Sequence, residues 1–559
     1  MATKEQIKYR RYIYVAVMTL GAILIALHQP FTYDADSYFI SMVINGCYSA
    51  TDNYVKYLHP LFCRVLFYLH KLFPSADWFT LFVRIMLVVG IGWISYWISV
   101  RVKDWIITVI IGFCILATAA AGNVFGANFT VYAAIFSFFG VFSIFTSFSL
   151  ETGRKLLAVG GTAFLALGLM IRSDGALLVI PFVGLKVFID FISSCRGKRG
   201  QTLLRDVKLI AVPVVIVASL LLSNWIFWSS PARADEIAYN TNSSPLINYP
   251  VKPWTEIQEY LPGVSENDYT LIRSWNFSDT DILNSEYYGR IAEVASIQPE
   301  WNLENLSTAN QTVLKILRSW SVAPYTVWLL FLALSLLFGR LNGYERLEYV
   351  LAICSGYVIM LYFAVRGRFP ERVCIAICLP MIAILFNSLL NAASKMEPDR
   401  PKVAILTVIA VLIAGVYLHD QYPMQKQIHL SCVANTTVDE ENYRAFYQED
   451  TIYLCDGIYL MRFSEQDRLP SKEYFDHFVS KGDWTYGQAY HKDYLKRLGI
   501  SNPMRSLLTR DKTYFLGNDP TLVLRFLQEH YEPDTAVKEA GNIDGTPLWQ
   551  FYTANGSAA

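Results

Sequence analysis

The chain has 559 residues, 53% of them hydrophobic and 15% aromatic, with only 17% charged and a formal net charge of zero. Soluble domains carry nearer a quarter of charged residues, so an ordinary soluble globular protein is excluded. A balanced charge offers no broad basic face to nucleic acid, so information must lie in where the charges fall.

In chain order, apolar runs fall near 12–27, 78–100, 105–121, 129–150, 156–171, 176–193, 209–228, 322–338, 347–365, 373–390 and 403–418. Each is close to the ~20 residues that cross a hydrocarbon core of about 30 Å. The expected fold class is an α-helical polytopic membrane protein with about 11 transmembrane helices. The first run lacks a small-residue cleavage site and precedes further spans, so it reads as a span and not a signal peptide.

Alternation from a cytoplasmic N-terminus puts 1–11, 101–104, 151–155, 194–208, 339–346 and 391–402 inside. These hold 18 Lys and Arg, against seven in the short segments opposite. Cytoplasmic segments attract positive charge. The expected arrangement is multi-pass in the cell membrane, N-terminus cytoplasmic and C-terminus extracytoplasmic.

The domain reading follows. Residues 1–228 form an N-terminal membrane core with an outer loop at 28–77, and 229–321 a large outer loop broken by Pro and Gly. Residues 322–418 carry the later spans, and 419–559 an outer α/β module. In that module "TIYLC", "TYFLG" and "PLWQFY" read as strands, and "DPTLVLRFLQEHY" as a helix opened by Asp-Pro. Cys47 with Cys63, or Cys432 with Cys455, could pair outside the cell; free buried thiols are the equal alternative. Without CxxC or Cys/His spacing, thiolate metal binding is not supported.

Three polar clusters converge on the expected outer face. "TYDADSYFI" places Asp34 and Asp36 after the first span, and "YLHPLFCRVLFYLH" adds His59. Asp36 suits the cap of a short interfacial helix from Ser37 to about Asn45, and His59 reads equally as an interfacial histidine. "MIRSDG" supplies Arg172 and Asp174, which could simply pair. "VRGRFPERV" supplies Arg366, Arg368, Glu371 and Arg372 on the side where short loops usually avoid arginine. Arginine forks suit phosphate, and ionisable groups near the bilayer usually face a cavity or partner. An Arg–Glu371 knot or contacts to lipid headgroups is the alternative reading.

Together these residues resemble the GT-C superfamily of integral membrane glycosyltransferases. "DADSY" matches the D-x-x-x-Y form, with Asp34 in the place of the family's first acid and Tyr38 of its aromatic. "LHPLF" resembles the family's His-Pro-Pro-like stretch with one proline fewer. "LMIRSDGALLVIPF" and "GRFPERV" resemble outer segments of bacterial members. The resemblance spans roughly residues 10–420. It implies a polyprenyl-phosphate sugar donor, a glycan, lipid or cell-envelope polymer acceptor, and a role in polysaccharide biosynthesis. It further implies Asp34 as base with Asp36 in support, Arg172, Arg366, Arg368 and Arg372 at the donor phosphate, and Tyr38, His59, Asp174 and Glu371 along the substrate.

No Gly-rich phosphate loop supports a soluble nucleotide donor. No cofactor is required, and a divalent metal stays open without ligand spacing in its favour. The expected partners are the lipid-linked donor, its acceptor and membrane lipids. The rival functions are a polysaccharide polymerase or ligase using a lipid-diphosphate oligosaccharide, and a non-enzymatic lipid transporter or sensor.

Overall fold

A backbone without water to bond must satisfy its own polar groups, so apolar runs of this length become helices. The computed structural model describes residues 4–29, 35–102, 104–150, 152–196, 200–338, 341–395, 415, 437–438, 450–457, 463–464, 472–543 and 545–553. Among them, nine helices are long and apolar enough to cross a membrane. They are α1 (Lys4–His28), α4 (Trp78–Arg101), α5 (Trp105–Ala121), α6 (Phe129–Ser149), α7 (Arg154–Ile171), α9 (Ile180–Arg196), α10 (Gly200–Trp228), α17 (Gly343–Val365) and α18 (Glu371–Lys395). A tenth expected span appears as the shorter α16 (Ala323–Phe338). The eleventh, 403–418, falls almost wholly outside the described residues. The chain is a multi-pass helical membrane protein with a small C-terminal sheet.

Helices α6 and α18 are buried at the centre of the bundle. Helices α1 and α10 lie at its edge and expose Val17, Leu20 and Leu24, and Val214, Leu222 and Ile226. Such apolar faces suit lipid contact. Where α6 meets α7, a β-carbon on Gly140 would stand 2.7 Å from the Gly161 carbonyl oxygen, so only small residues permit this crossing. At one end of the bundle Lys186 of α9 is buried between Asp190 (2.9 Å) and Glu348 of α17 (3.1 Å), and Ser388 of α18 donates to Glu348. Arg101 of α4 reaches Asn387 of α18 at 2.7 Å and Thr146 of α6 at 3.1 Å. These paired polar groups lock five helices in register.

The opposite end carries α2 (Ala35–Ile44), α3 (Pro60–Leu72) and the five-residue α8 (Ser173–Leu177). Helix α2 begins at Ala35, two residues before the expected start. Asp36 therefore lies within its first turn and is not its cap. Nor is α2 an interfacial surface helix, since Tyr38 through Ile44 are all buried. Helix α3 takes the interfacial character instead. It buries Phe62, Cys63, Leu66 and Phe67 while exposing Leu61, Val65 and Tyr68.

The stretch 229–321 folds into short helices, among them α11 (Ala234–Asn248), α13 (Glu266–Arg273), α14 (Ser285–Ala295) and α15 (Leu303–Leu317). The C-terminal sheet has the order β4-β2-β5-β7-β6. Its strands are β2 (Ile452–Cys455), β4 (Phe478–Ser480), β5 (Thr513–Leu516), β6 (Thr535–Ile543) and β7 (Thr546–Thr553). Strands β4, β2 and β5 run parallel, and β7 pairs antiparallel with both β5 and β6. The expected strands correspond to β2, β5 and β7, and the expected helix to Thr521–His530, whose Thr521 N–H donates to Asp519 at 2.9 Å.

This module and the 229–321 stretch are bonded directly. Phe277 N–H donates to the Lys481 carbonyl (2.7 Å), and Asn502 and the Tyr531 hydroxyl both donate to Asp279 (2.9 and 2.6 Å). The module also covers α2's end, with Arg497 donating to the Cys47 and Tyr48 carbonyls (2.5 and 3.1 Å). Cys47, Cys63 and Cys455 are separate buried thiols; Cys432 lies outside the described residues.

Candidate functional site

The loop between α2 and α3, the α7–α8 junction and the turn between α17 and α18 meet at the module-covered end. Lys56 and Tyr57 come from the first. The Lys56 ammonium donates to Asn240 of α11 and stands 4.8 Å over the Tyr57 ring. Arg172 comes from the second. It donates to Thr130 at the start of α6 (2.8 Å) and spreads over the rings of Tyr57 (5.2 Å) and Phe129 (4.7 Å). Both contacts hold a guanidinium without neutralising it.

Arg368 and Arg372 come from the third. That turn passes through Gly367, whose φ of 72° and contact with Pro250, 2.5 Å from an added β-carbon, leave no room for a side chain. Arg368 faces the ring of Tyr249 at 5.3 Å. Neither Arg368 nor Arg372 donates a side-chain hydrogen bond to any described residue.

Electrostatics tie these groups together. Burial, then repulsion from Arg172 and Arg368, pulls the Lys56 ammonium down to about 8, with Asp36 opposing. Burial, then the Asp36 carboxylate, pushes the Tyr57 phenol up to about 12 against Arg172, Arg368 and Arg372. Lys56 and Arg172 thus lie against one aromatic ring, and the charges of Arg368, Arg372 and Asp36 act on its hydroxyl. Asp36 is half-buried, and Asn128 reaches it at 3.4 Å. Positive charge exceeds negative among these groups, which suits an anion with more than one charge.

The remaining candidates divide. Arg366 is exposed, donating to the Tyr362 hydroxyl (2.9 Å) and sharing the Tyr249 ring with Arg368, at 5.8 Å. Among the described residues Glu371 forms no ion pair with these arginines; it accepts from Ser321. Asp174 is exposed and makes no close ion pair with Arg172 among the described residues, yet after burial its charge is the leading influence on that guanidinium. His59 caps α3. Its Nδ1 accepts from the Leu61 N–H (3.2 Å), Pro60 takes the first helical position, and Nε2 lies 3.0 Å from Ser223 of α10. Tyr38 is fully buried against Phe39. Asp34 lies outside the described residues. Lys56 and Tyr57 escaped the sequence reading because a lone lysine in an outer loop has no pattern separating it from a solvated one.

For a metal, the described residues offer one group of three, Asp268, Glu529 and His530, with ligand atoms within 4.8 Å of one another. Asp268 is already engaged. Its fully buried carboxylate accepts from His530 (2.8 Å), from the Tyr287 hydroxyl (2.5 Å) and from the Ser265 N–H (3.0 Å). The group works as a clasp between α13 and the C-terminal module.

The bond to Asp268 holds the His530 imidazole above its usual range. Burial alone would raise Asp268, but its donors, His530 first, hold it below the usual range. The His530 contribution is therefore full below about pH 6.5 and fades as pH rises through its raised folded value. The Asp268 contribution fades only as pH falls below about 3.9 toward its depressed folded value. His530→Gln is expected to cost about 1 kcal/mol near pH 6, by exchanging a charged hydrogen bond for a neutral one. It should also remove the stability decline that sets in as pH rises past about 6.5 in pH-dependent thermal melts. A variant that keeps the wild-type decline would place the titrating group elsewhere.

No family model, curated protein or solved structure matches this chain.

Proposed function

We propose that this protein is an inverting membrane glycosyltransferase of GT-C type. It moves a sugar from a polyprenyl-phosphate donor to an extracytoplasmic glycan, lipid or cell-envelope polymer. The observation that carries the reading is the meeting of Lys56 and Arg172, from two segments, on the Tyr57 ring, with the charges of Arg368 and Arg372 from a third segment acting on the same residue. A lipid-borne phosphate needs such cations at the membrane's edge, and the exposed apolar residues of α3 lie on the neighbouring segment. The excess of basic residues in the segments opposite supports an extracytoplasmic site.

In the proposed reaction the acceptor hydroxyl attacks the anomeric carbon. Asp34 takes the hydroxyl proton as the new C–O bond forms. The bond to phosphate breaks, its electron pair leaving with the phosphate oxygen, whose growing charge the four cations stabilise. One displacement without a protein nucleophile inverts the anomeric centre. The excess of cations also suits a lipid diphosphate, which keeps a polymerase or ligase as the second reading.

Purified protein in nanodiscs, offered a synthetic polyprenyl-phosphate sugar and separately a lipid-diphosphate oligosaccharide, tests both. Release of polyprenyl phosphate from the first supports the glycosyltransferase, turnover of the second alone supports the polymerase, and turnover of neither rejects both. Lys56 adds a pH signature. Its charge is lost as pH rises through about 8, so donor KM should climb there by ~10-fold or more, the loss of a charge-assisted bond of about 1.5–3 kcal/mol. Lys56→Arg should flatten that limb; an unchanged limb would separate Lys56 from the donor.

A further inference from the structure

Beyond the cation cluster, the segment Asp483–His491 ("DWTYGQAYH") of the C-terminal module is pressed against the Tyr57 side of the site. The Trp484 ring meets Tyr57 edge-on at 5.3 Å and Phe39 at 6.3 Å. The segment turns at Gly487, whose φ is 76° and whose missing side chain admits the Tyr239 ring of α11, 2.3 Å from an added β-carbon. Asp483 accepts from the Thr485 N–H at 2.7 Å, and its carboxyl is raised by burial with a further contribution from Asp36.

Several buried polar atoms here have no hydrogen-bond partner among the described residues. They are the Trp484 indole nitrogen, both amide atoms of Gln488, the Tyr490 hydroxyl, one carboxyl oxygen of Asp483 and the His491 Nε2. Gln488 and Tyr490 are each 0% exposed. Buried polar groups are nearly always bonded, because leaving one unpaired forfeits its hydration. Such a concentration within nine residues beside a candidate site needs a cause. The inventory is also particular. Indole donates only, the amide both donates and accepts, and the phenol does either. Vicinal hydroxyls on a sugar ring offer that same mixture, and the half-buried Trp484 ring offers an aromatic surface to the apolar face of a sugar.

We infer that Trp484, Gln488 and Tyr490 form a sugar-binding subsite, through which the C-terminal module grips a polyhydroxylated ring beside Tyr57. This rests on the glycosyltransferase reading for its place in catalysis, but not for the binding itself. Opening the segment exposes the orphaned atoms, and the sugar's hydroxyls satisfy them.

The test uses the full chain in nanodiscs, with Tyr490→Phe and Gln488→Leu made separately. Each removes orphaned atoms while nearly keeping volume. Each variant should melt at the wild-type temperature or about 2–4 °C higher. A panel of methyl glycosides of glucose, galactose, mannose and arabinose is then titrated against tryptophan fluorescence, with Trp484→Phe identifying the reporting indole. At least one glycoside should quench wild type, and the variants should bind it at least fivefold more weakly. The subsite is overturned if both variants melt lower, which would mean that the atoms anchor the fold. It is equally overturned if the variants bind as wild type does, or if no glycoside binds wild type. Glycoside binding that survives in a protein with no transfer from any lipid donor would reject the proposed reaction and keep the subsite.

Discussion

Asp34→Asn is expected to lower transfer from a polyprenyl-phosphate sugar by about 10²–10⁴, the span that removal of a general base usually costs. The amide keeps the carboxylate's shape and cannot take a proton. Donor binding should survive, since Lys56, Arg172, Arg368 and Arg372 are untouched, so the loss should fall on kcat and leave donor KM near wild type. Asp36 sharpens the test. A helix cap would tolerate Asn almost freely, but α2 already begins at Ala35, and Asp36 stands as a carboxylate among cations. Asp36→Asn leaves the cluster one negative charge poorer, so it should tighten donor binding or leave it unchanged, with a smaller loss of kcat than Asp34→Asn. Near wild-type transfer by purified Asp34→Asn would remove the assignment, and a collapse confined to Asp36→Asn would move the base two residues along.

The second large effect concerns the arginines. Arg368→Ala and Arg372→Ala should each raise donor KM by ~10–150-fold, the equivalent of a charge-assisted contact of about 1.5–3 kcal/mol. Acceptor KM should move far less. Arg366→Ala should stay within about threefold, because its guanidinium is exposed and bonded to Tyr362, and exposed charges contribute little. The contrast separates a phosphate site from general attraction to anionic lipid headgroups, which would weaken similarly with any of the three. Equal effects at Arg366 and Arg368 would favour the headgroup explanation. Arg172→Ala is a poorer probe, since it also strips contacts from Thr130, Tyr57 and Phe129.

The membrane helices were legible in the sequence because the bilayer reads composition directly: backbone groups without water must bond within their own segment. Local caps were legible in part: Asp519 accepts from the Thr521 N–H at the start of its helix, but Asp36 lies inside α2. The arginines of the α17–α18 turn stood out as charge in an unfavourable place. Tertiary structure alone decided how they are placed, because Gly367 and Pro250 set the course of that turn, which leaves Arg366 exposed and Arg368 and Arg372 half-buried. It turned His59 into the cap of α3 and made Lys56 a half-buried cation, since burial depends on what α11 and the C-terminal module lay over the loop. Strands β4 and β6 were also missed. β4 is three residues long, too short for a period, and β6 carries a polar run through Lys538, Glu539 and Asn542 that only its pairing with β7 holds extended. What a segment buries is set by its neighbours in space, and the chain's order does not specify them.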